Sequence, residues 1–109
     1  MKKSAIISLV LLLGLLSACS VKLGQPFDLK RFASNVEHGS STQVQVLQWL
    51  GEPQSRGVVV NTRGEKLTRW MYYYGEGKLS SMDQAQLKTL EIQFDRQGIV
   101  KAFDWIGQP

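Results

Sequence analysis

The side chain best suited to covalent chemistry is the thiol of Cys19, the single cysteine in this chain of 109 residues. It follows Leu16-Ser17-Ala18, at the end of an uncharged apolar run over residues 5–16 that comes after two lysines. A thiolate is a nucleophile that can be alkylated, and small side chains before it let the backbone lie in a protease cleft. These residue types make Cys19 the first candidate for modification.

The apolar run is too short to span a bilayer, because twelve helical residues rise only about 18 Å against roughly 30 Å of hydrocarbon. A basic start, a short apolar centre and a small-residue end are typical of a secretory signal peptide, with a buried core helix as the alternative. Residues 16–19, LSAC, resemble the bacterial lipobox, L-[AS]-[GA]-C, at all four positions. The resemblance implies a diacylglycerol thioether on Cys19, cleavage between Ala18 and Cys19, and a further acyl chain on the new amino terminus.

We therefore predict a lipoprotein signal peptide at 1–18, a lipidated tether at 19–26 and one domain at 27–109. Three acyl chains exceed the two signals that stable anchoring needs. Ser20, rather than an aspartate, follows the cysteine, and this favours the periplasmic inner leaflet of the outer membrane. The alternative for Cys19 is a structural or redox thiol, which cannot form a disulfide within the chain.

Processing would leave 91 residues, enough for one small core, and would lower the formal net charge from +4 to +2 by removing two lysines. Without a cluster of Lys and Arg, this charge gives no case for nucleic-acid binding. His38, the single histidine, and Glu37 stand near a predicted helix end, and Ser40 and Ser41 suit capping. No His, Cys and carboxylate set has metal-ligand spacing, so we expect no catalytic residue, no metal and no cofactor beyond the acyl groups.

Two short helices are predicted at the start of the domain. Asp28 is a good N-cap for a helix over residues 29–37, and Phe27 and Phe32 occupy the positions of a hydrophobic staple. Thr42 and Gln45 fit a capping box for a second helix, which Gly51 and Pro53 end. Its apolar stripe consists of Val46, Leu47 and Leu50, with Trp49 at the edge.

Strands are predicted after the helices, at residues 58–60, 67–74, 90–94 and 99–106, with a polar loop over 75–86. Trp70, Tyr72 and Tyr74 share one face of the second of these strands, and Met71 and Tyr73 share the other. In the last strand, Val100 and Ala102 are expected opposite Phe103 and Trp105. The order predicts an α+β fold, with two short helices packed on one face of a three- to four-stranded antiparallel sheet.

Several spaced motifs resemble those of the SmpA/OmlA (BamE-like) family of outer-membrane lipoproteins. GSST at 39–42, Val46 and LGEP at 50–53 are similar to its G-x-[ST]-T…V…LG-x-P signature, and WMY at 70–72 and LEIQF at 90–94 with Gly98 and Val100 resemble its strands. The resemblance implies an ααβββ fold and docking on an envelope complex such as the β-barrel assembly machine. The connection over 54–67 is longer than in the family and contains the candidate strand at 58–60.

The aromatic residues are the best candidates for binding, because two short helices cover only one sheet face. We predict partner contacts at Tyr73, Met71 and Trp105, on a non-enzymatic module that docks on an envelope complex. The alternative is an inhibitor of a periplasmic enzyme, since secreted β-lactamase inhibitors have a similar ααβββ unit. An enzyme is the third hypothesis, and the sequence offers no residue set for it.

Overall fold

The computed structural model describes residues 19–109, apart from the side chains of Met82 and Asp83. The predicted signal peptide, with Ala18 of the cleavage site, lies outside the described residues. The described part of the chain forms two helices and one five-stranded antiparallel sheet, so the α+β class is confirmed. The elements are β1 (Ser20–Gly24), α1 (Leu29–Asn35), α2 (Gln43–Leu50), β2 (Ser55–Val60), β3 (Lys66–Lys78), a 3₁₀ segment (Leu79–Gln84), β4 (Gln86–Phe94) and β5 (Val100–Ile106).

The long strand β3 organises the sheet. It pairs with β4 along one side, and β4 pairs in turn with β5. On its other side, β3 pairs with β2 over residues 66–71 and with β1 over residues 74–78. Two short strands therefore share one edge of the sheet, one after the other along β3, and the sheet has more strands than the three or four predicted.

Two segments predicted to be irregular contribute residues to the sheet. Ser20–Gly24, within the predicted tether, is strand β1, and order begins there rather than at Phe27. Residues 75–78, placed in a polar loop, continue β3, and Gln86 already pairs with Glu76. Backbone hydrogen bonds between strands do not depend on apolar side chains, so polar and glycine-containing segments can extend a sheet that a long partner strand has already formed.

The caps predicted for both helices are present. Asp28 accepts a hydrogen bond from the Arg31 amide at 3.0 Å. Thr42 Oγ1 accepts from the Gln45 amide at 3.2 Å, while Gln45 Oε1 accepts from the Thr42 amide at 3.0 Å, which completes the capping box. α1 ends two residues earlier than predicted because Val36 has extended backbone angles.

The core lies between the helices and one face of the sheet. Trp70 and Tyr72 are buried there as predicted, and Val46 rather than Leu50 is the fully buried residue of α2. The prediction for Val100 was wrong. A register shift between Gln93 and Phe94 brings Val100 opposite Phe94, so its side chain lies on the helix side and is fully buried. The buried cluster comprises Leu29, Phe32, Val46, Trp70, Tyr72, Leu90, Ile92, Phe94 and Val100.

Candidate interaction surface

The sheet face away from the helices, here called the outer face, carries Tyr73 and Met71. Tyr73 pairs with Thr89, which pairs with Ile106, and Met71 pairs with Glu91. Residues directly opposite each other on antiparallel strands point to the same face. The structure therefore brings together two of the three predicted contact residues, both half-buried.

The adjacent row across the sheet adds two exposed leucines. Leu23 of β1 and Leu87 of β4 pair with Gly75 from opposite sides. A Cβ atom on Gly75 would lie 3.5 Å from Leu87 Cδ1 and 3.7 Å from Leu23 Cβ, so both leucines border this glycine closely. The resulting outer apolar strip consists of Leu23, Leu87, Tyr73, Ile106 and Met71.

Charged side chains border the outer apolar strip towards the other end of the sheet. Arg69 Nε lies 3.5 Å from Glu91 Oε1, and Asp104, paired with Glu91 across β4 and β5, is exposed. A shallow depression of about 420 Å³ runs between these groups and the strip. The outer face therefore combines an apolar patch with an ion pair and an exposed carboxylate at its border.

Trp105, the third predicted contact, lies on the opposite face. It pairs with Leu90 and packs against the core beside Phe103, with the ring centroids 5.9 Å apart and the planes parallel. Trp105 therefore contributes to helix–sheet packing and is not brought together with Tyr73 and Met71. The exposed ring of His38 stacks on Phe103, with the ring centroids 4.6 Å apart.

Two tyrosine hydroxyls have raised pKa values for different reasons. Burial raises the pKa of Tyr72, and the charge of Glu52 adds to the effect. Its hydroxyl donates to the carbonyl of Gly51 at 2.7 Å. The hydrogen bond from Tyr74 to Glu76, at 2.6 Å, raises the pKa of Tyr74. Both hydroxyls are thus held as neutral donors in structural contacts.

The polar groups near His38 are engaged in local turns. Ser41 Oγ accepts from the Glu37 amide at 2.8 Å, and Ser40 Oγ donates to Glu37 Oε2 at 3.4 Å. Within residues 19–109, no three His, Cys, Asp or Glu side chains are grouped so that they could hold a metal ion. In the same residues, no helix is long and apolar enough to cross a membrane.

The predicted lipidation residue stands at the beginning of β1. Cys19 is exposed, and its carbonyl accepts a hydrogen bond from the Leu79 amide at 3.4 Å. Its partner in the predicted cleavage, Ala18, lies outside the described residues.

Three members of the outer apolar strip were not predicted. The position of Ile106 follows from simple alternation along the last strand, because it is four residues after Ala102 and therefore on the same face. Leu23 and Leu87 carried no such signal, because the first lay in a predicted tether and the second at the edge of a predicted loop. Only the pairing of β1 and β4 with the end of β3 places them on a common face.

Comparison of the chain with protein-family models, with curated proteins and with solved structures gives no match.

Proposed function

We propose that this protein is a non-enzymatic interaction module, anchored by acyl chains on Cys19 to the periplasmic face of the outer membrane. It docks on a larger envelope complex through the outer apolar strip. The observation that carries the proposal is the exposure of Leu23, Leu87 and Ile106 beside Tyr73 and Met71 on the sheet face that the helices leave uncovered. Soluble monomers seldom expose a contiguous apolar patch without a partner.

The predicted tether and the predicted loop over residues 75–86 are the two segments that could fold over this face, and both contribute residues to the sheet instead. Ser20–Gly24 extends the sheet in its own plane as β1, and residues 75–78 do so as the end of β3. Both segments enlarge the outer face and add Leu23 to it. This supports a docking surface rather than a face that the chain covers by itself.

The resemblance of the GSST, LGEP, WMY and LEIQF motifs to the SmpA/OmlA family indicates the kind of complex. On that basis, the β-barrel assembly machine of the outer membrane is the first candidate partner. Arg69 and Glu91, which form an ion pair beside the strip, would lie at the rim of such an interface. Charges at a rim contribute to orientation and specificity more than to affinity.

The experiment is affinity recovery from detergent-solubilised membranes with Tyr73→Ala and Ile106→Ala, using Val44→Ala as the control. Ile106 and Val44 are both 63% exposed, but Val44 lies on α2, on the other side of the molecule. We expect both outer-face variants to recover at least about tenfold less barrel-assembly subunits, because apolar anchors dominate interface energies. Val44→Ala should recover the wild-type amount.

Folding is checked by the melting temperature of each variant. Ile106→Ala should melt within about 3 °C of wild type, since exposed substitutions cost little. Recovery of a single hydrolase instead of assembly subunits would favour the inhibitor hypothesis. Wild-type recovery by folded Tyr73→Ala and Ile106→Ala would refute docking through the outer apolar strip, and unfolding of Tyr73→Ala alone would assign that residue to the core.

A further inference from the structure

No flexible linker separates the predicted anchor residue, Cys19, from the first strand of the sheet. Ser20 pairs with Lys78 and Val21 with Gly77 in the ladder between β1 and β3. The Cys19 carbonyl continues this ladder by accepting from the Leu79 amide at 3.4 Å. The residue predicted to carry the acyl chains is therefore hydrogen-bonded to the point where β3 ends and the 3₁₀ segment begins.

An exposed leucine lies at this junction. The Leu79 side chain is 62% exposed, and Val21 of the adjoining strand is also exposed. Beside them lies a shallow polar hollow of about 360 Å³, lined by hydroxyl and amide groups of Ser20, Ser81 and Gln84 and by the charged residues Glu76 and Lys78. Apolar side chains next to hydroxyls and amides suit the boundary between hydrocarbon and headgroups, where one end of a group is apolar and the other is wet.

Lysines are placed at the same end of the sheet. Lys22 lies in β1 and Lys78 ends β3. A lysine can keep its aliphatic stem against an apolar surface while its ammonium group stays in the headgroup layer. These two lysines therefore do not oppose contact with a lipid surface, and the carboxylate of Glu76, which pairs with Lys22, accepts a hydrogen bond from the Tyr74 hydroxyl.

We propose that this end of the sheet is a membrane-contacting surface, in which Leu79 inserts at the interface of the leaflet that holds the acyl chains of Cys19. The inference rests on the proposed lipid anchor. Since the acyl chains enter the bilayer within one hydrogen bond of Leu79, this end of the sheet cannot lift off the membrane while β1 stays paired. The domain is thereby held in a fixed orientation, with its opposite end pointing into the periplasm.

The opposite end provides a matched control site. Val60 is 60% exposed and pairs with Lys66 at the start of β3. Lys66 and Lys78 are twelve residues apart on one strand, which corresponds to about 40 Å. A label at Val60 therefore reports water, whereas a label at Leu79 reports the lipid interface.

The test uses the full-length gene product, processed in a bacterial envelope and reconstituted in phosphatidylcholine vesicles. Leu79→Cys, Ser80→Cys and Val60→Cys are each labelled with a nitroxide, and collision rates are measured with oxygen and with a water-soluble nickel chelate. Ser80 is an exposed neighbour of Leu79 and serves as a second site should Leu79→Cys misfold. We expect nickel collisions at residues 79 and 80 to be several-fold fewer than at residue 60, with oxygen collisions increased.

The protein without an added cysteine, here called the parent, distinguishes failure of the membrane contact from failure of the lipid anchor. An acylated Cys19 cannot take the label, so an unlabelled parent with equal nickel collisions at residues 79, 80 and 60 overturns the membrane contact and leaves the anchor standing. Labelling of the parent at Cys19 overturns the anchor and, with it, this inference. Reduced nickel access at residues 79 and 80 with an unlabelled parent supports both.

Discussion

At the scale of single residues, Tyr72 connects the sheet with the end of a helix. Its ring is fully buried beside Phe27, with the centroids 5.8 Å apart, and its hydroxyl donates to the carbonyl of Gly51, directly after α2. Gly51 has a φ of 77°, which suits glycine, and its amide bonds to the Leu47 carbonyl. The tyrosine thus satisfies a carbonyl at the helix end and fixes where α2 meets the sheet.

Tyr72→Phe should lower the free energy of unfolding by about 1 kcal/mol, because it removes one buried hydrogen bond and keeps the ring. Tyr74→Phe is the control, since its hydroxyl bonds to the exposed Glu76, and it should change stability by less than about 0.5 kcal/mol. Denaturant titration of both variants provides the measurement. Equal stabilities of the two variants would refute a structural role for the Gly51 contact.

Ionisation of the same tyrosine makes the free energy of unfolding depend on pH in the alkaline range. Burial raises the pKa of Tyr72 in the folded state, so above the ordinary tyrosine pKa of about 10 the unfolded chain releases this proton first. The stabilising contribution of neutral Tyr72 is therefore complete below about pH 10 and is lost as the pH rises towards the folded-state value. Tyr72→Phe should show a shallower decline of stability above that pH.

At the scale of elements, α2 is a short helix that depends on burial of one stripe. Val46 is fully buried in the core. Val44 lies two residues earlier, on roughly the opposite side of the helix, and is 63% exposed. Helices of this length are unstable alone, so the side chains that pack on the sheet must hold α2 in place. The capping box of Thr42 and Gln45 defines where the helix begins, and packing supplies most of its stability.

Val46→Ala and Val44→Ala form a matched pair on this helix. We expect Val46→Ala to cost about 2 kcal/mol, because two methyl groups leave a packed core and a small cavity remains. Val44→Ala should stay within about 0.5 kcal/mol of wild type, since its side chain faces water. Chemical denaturation measures both, and similar costs for the two variants would contradict the assigned stripe.

At the scale of the whole molecule, β1 joins the predicted anchor to the fold. Its five residues are all exposed, yet each pairs with the end of β3. The strand makes the sheet larger than the helices can cover and brings Cys19 to one end of it. One element therefore has two consequences, since it extends the outer apolar strip through Leu23 and fixes the domain relative to the anchor.

Cys19→Ala should release the protein from the membrane fraction and abolish incorporation of labelled palmitate, because all acyl chains depend on that residue in the proposed anchor. Ser20→Ala is the neighbouring control. It keeps the lipobox intact and should remain labelled and membrane-bound. Fractionation and palmitate labelling are the measurements, and a labelled, membrane-bound Cys19→Ala protein would refute lipidation at this position.

The local elements were predictable because their signals are local. The caps at Asp28 and Thr42 and the stop at Gly51 depend on side chains within a few residues of the backbone groups they satisfy. Strict alternation assigned Trp70 and Tyr72 to the core and Tyr73 to the other face. Three of the five members of the outer apolar strip, Met71, Tyr73 and Ile106, occupy positions that follow from the same period of two.

The other features of the fold depend on contacts between residues that are distant in the sequence. Local signals were sufficient to predict the helices, their caps, the α+β class and the two faces of β3. Tertiary structure alone decided that Ser20–Gly24 is a strand, that Val100 returns to the core through a bulge and that Trp105 lies away from Tyr73. The physical reason is that strand pairing satisfies backbone groups of segments far apart in the chain, so neither an edge strand nor a one-residue register shift leaves a periodic signal in its own side chains.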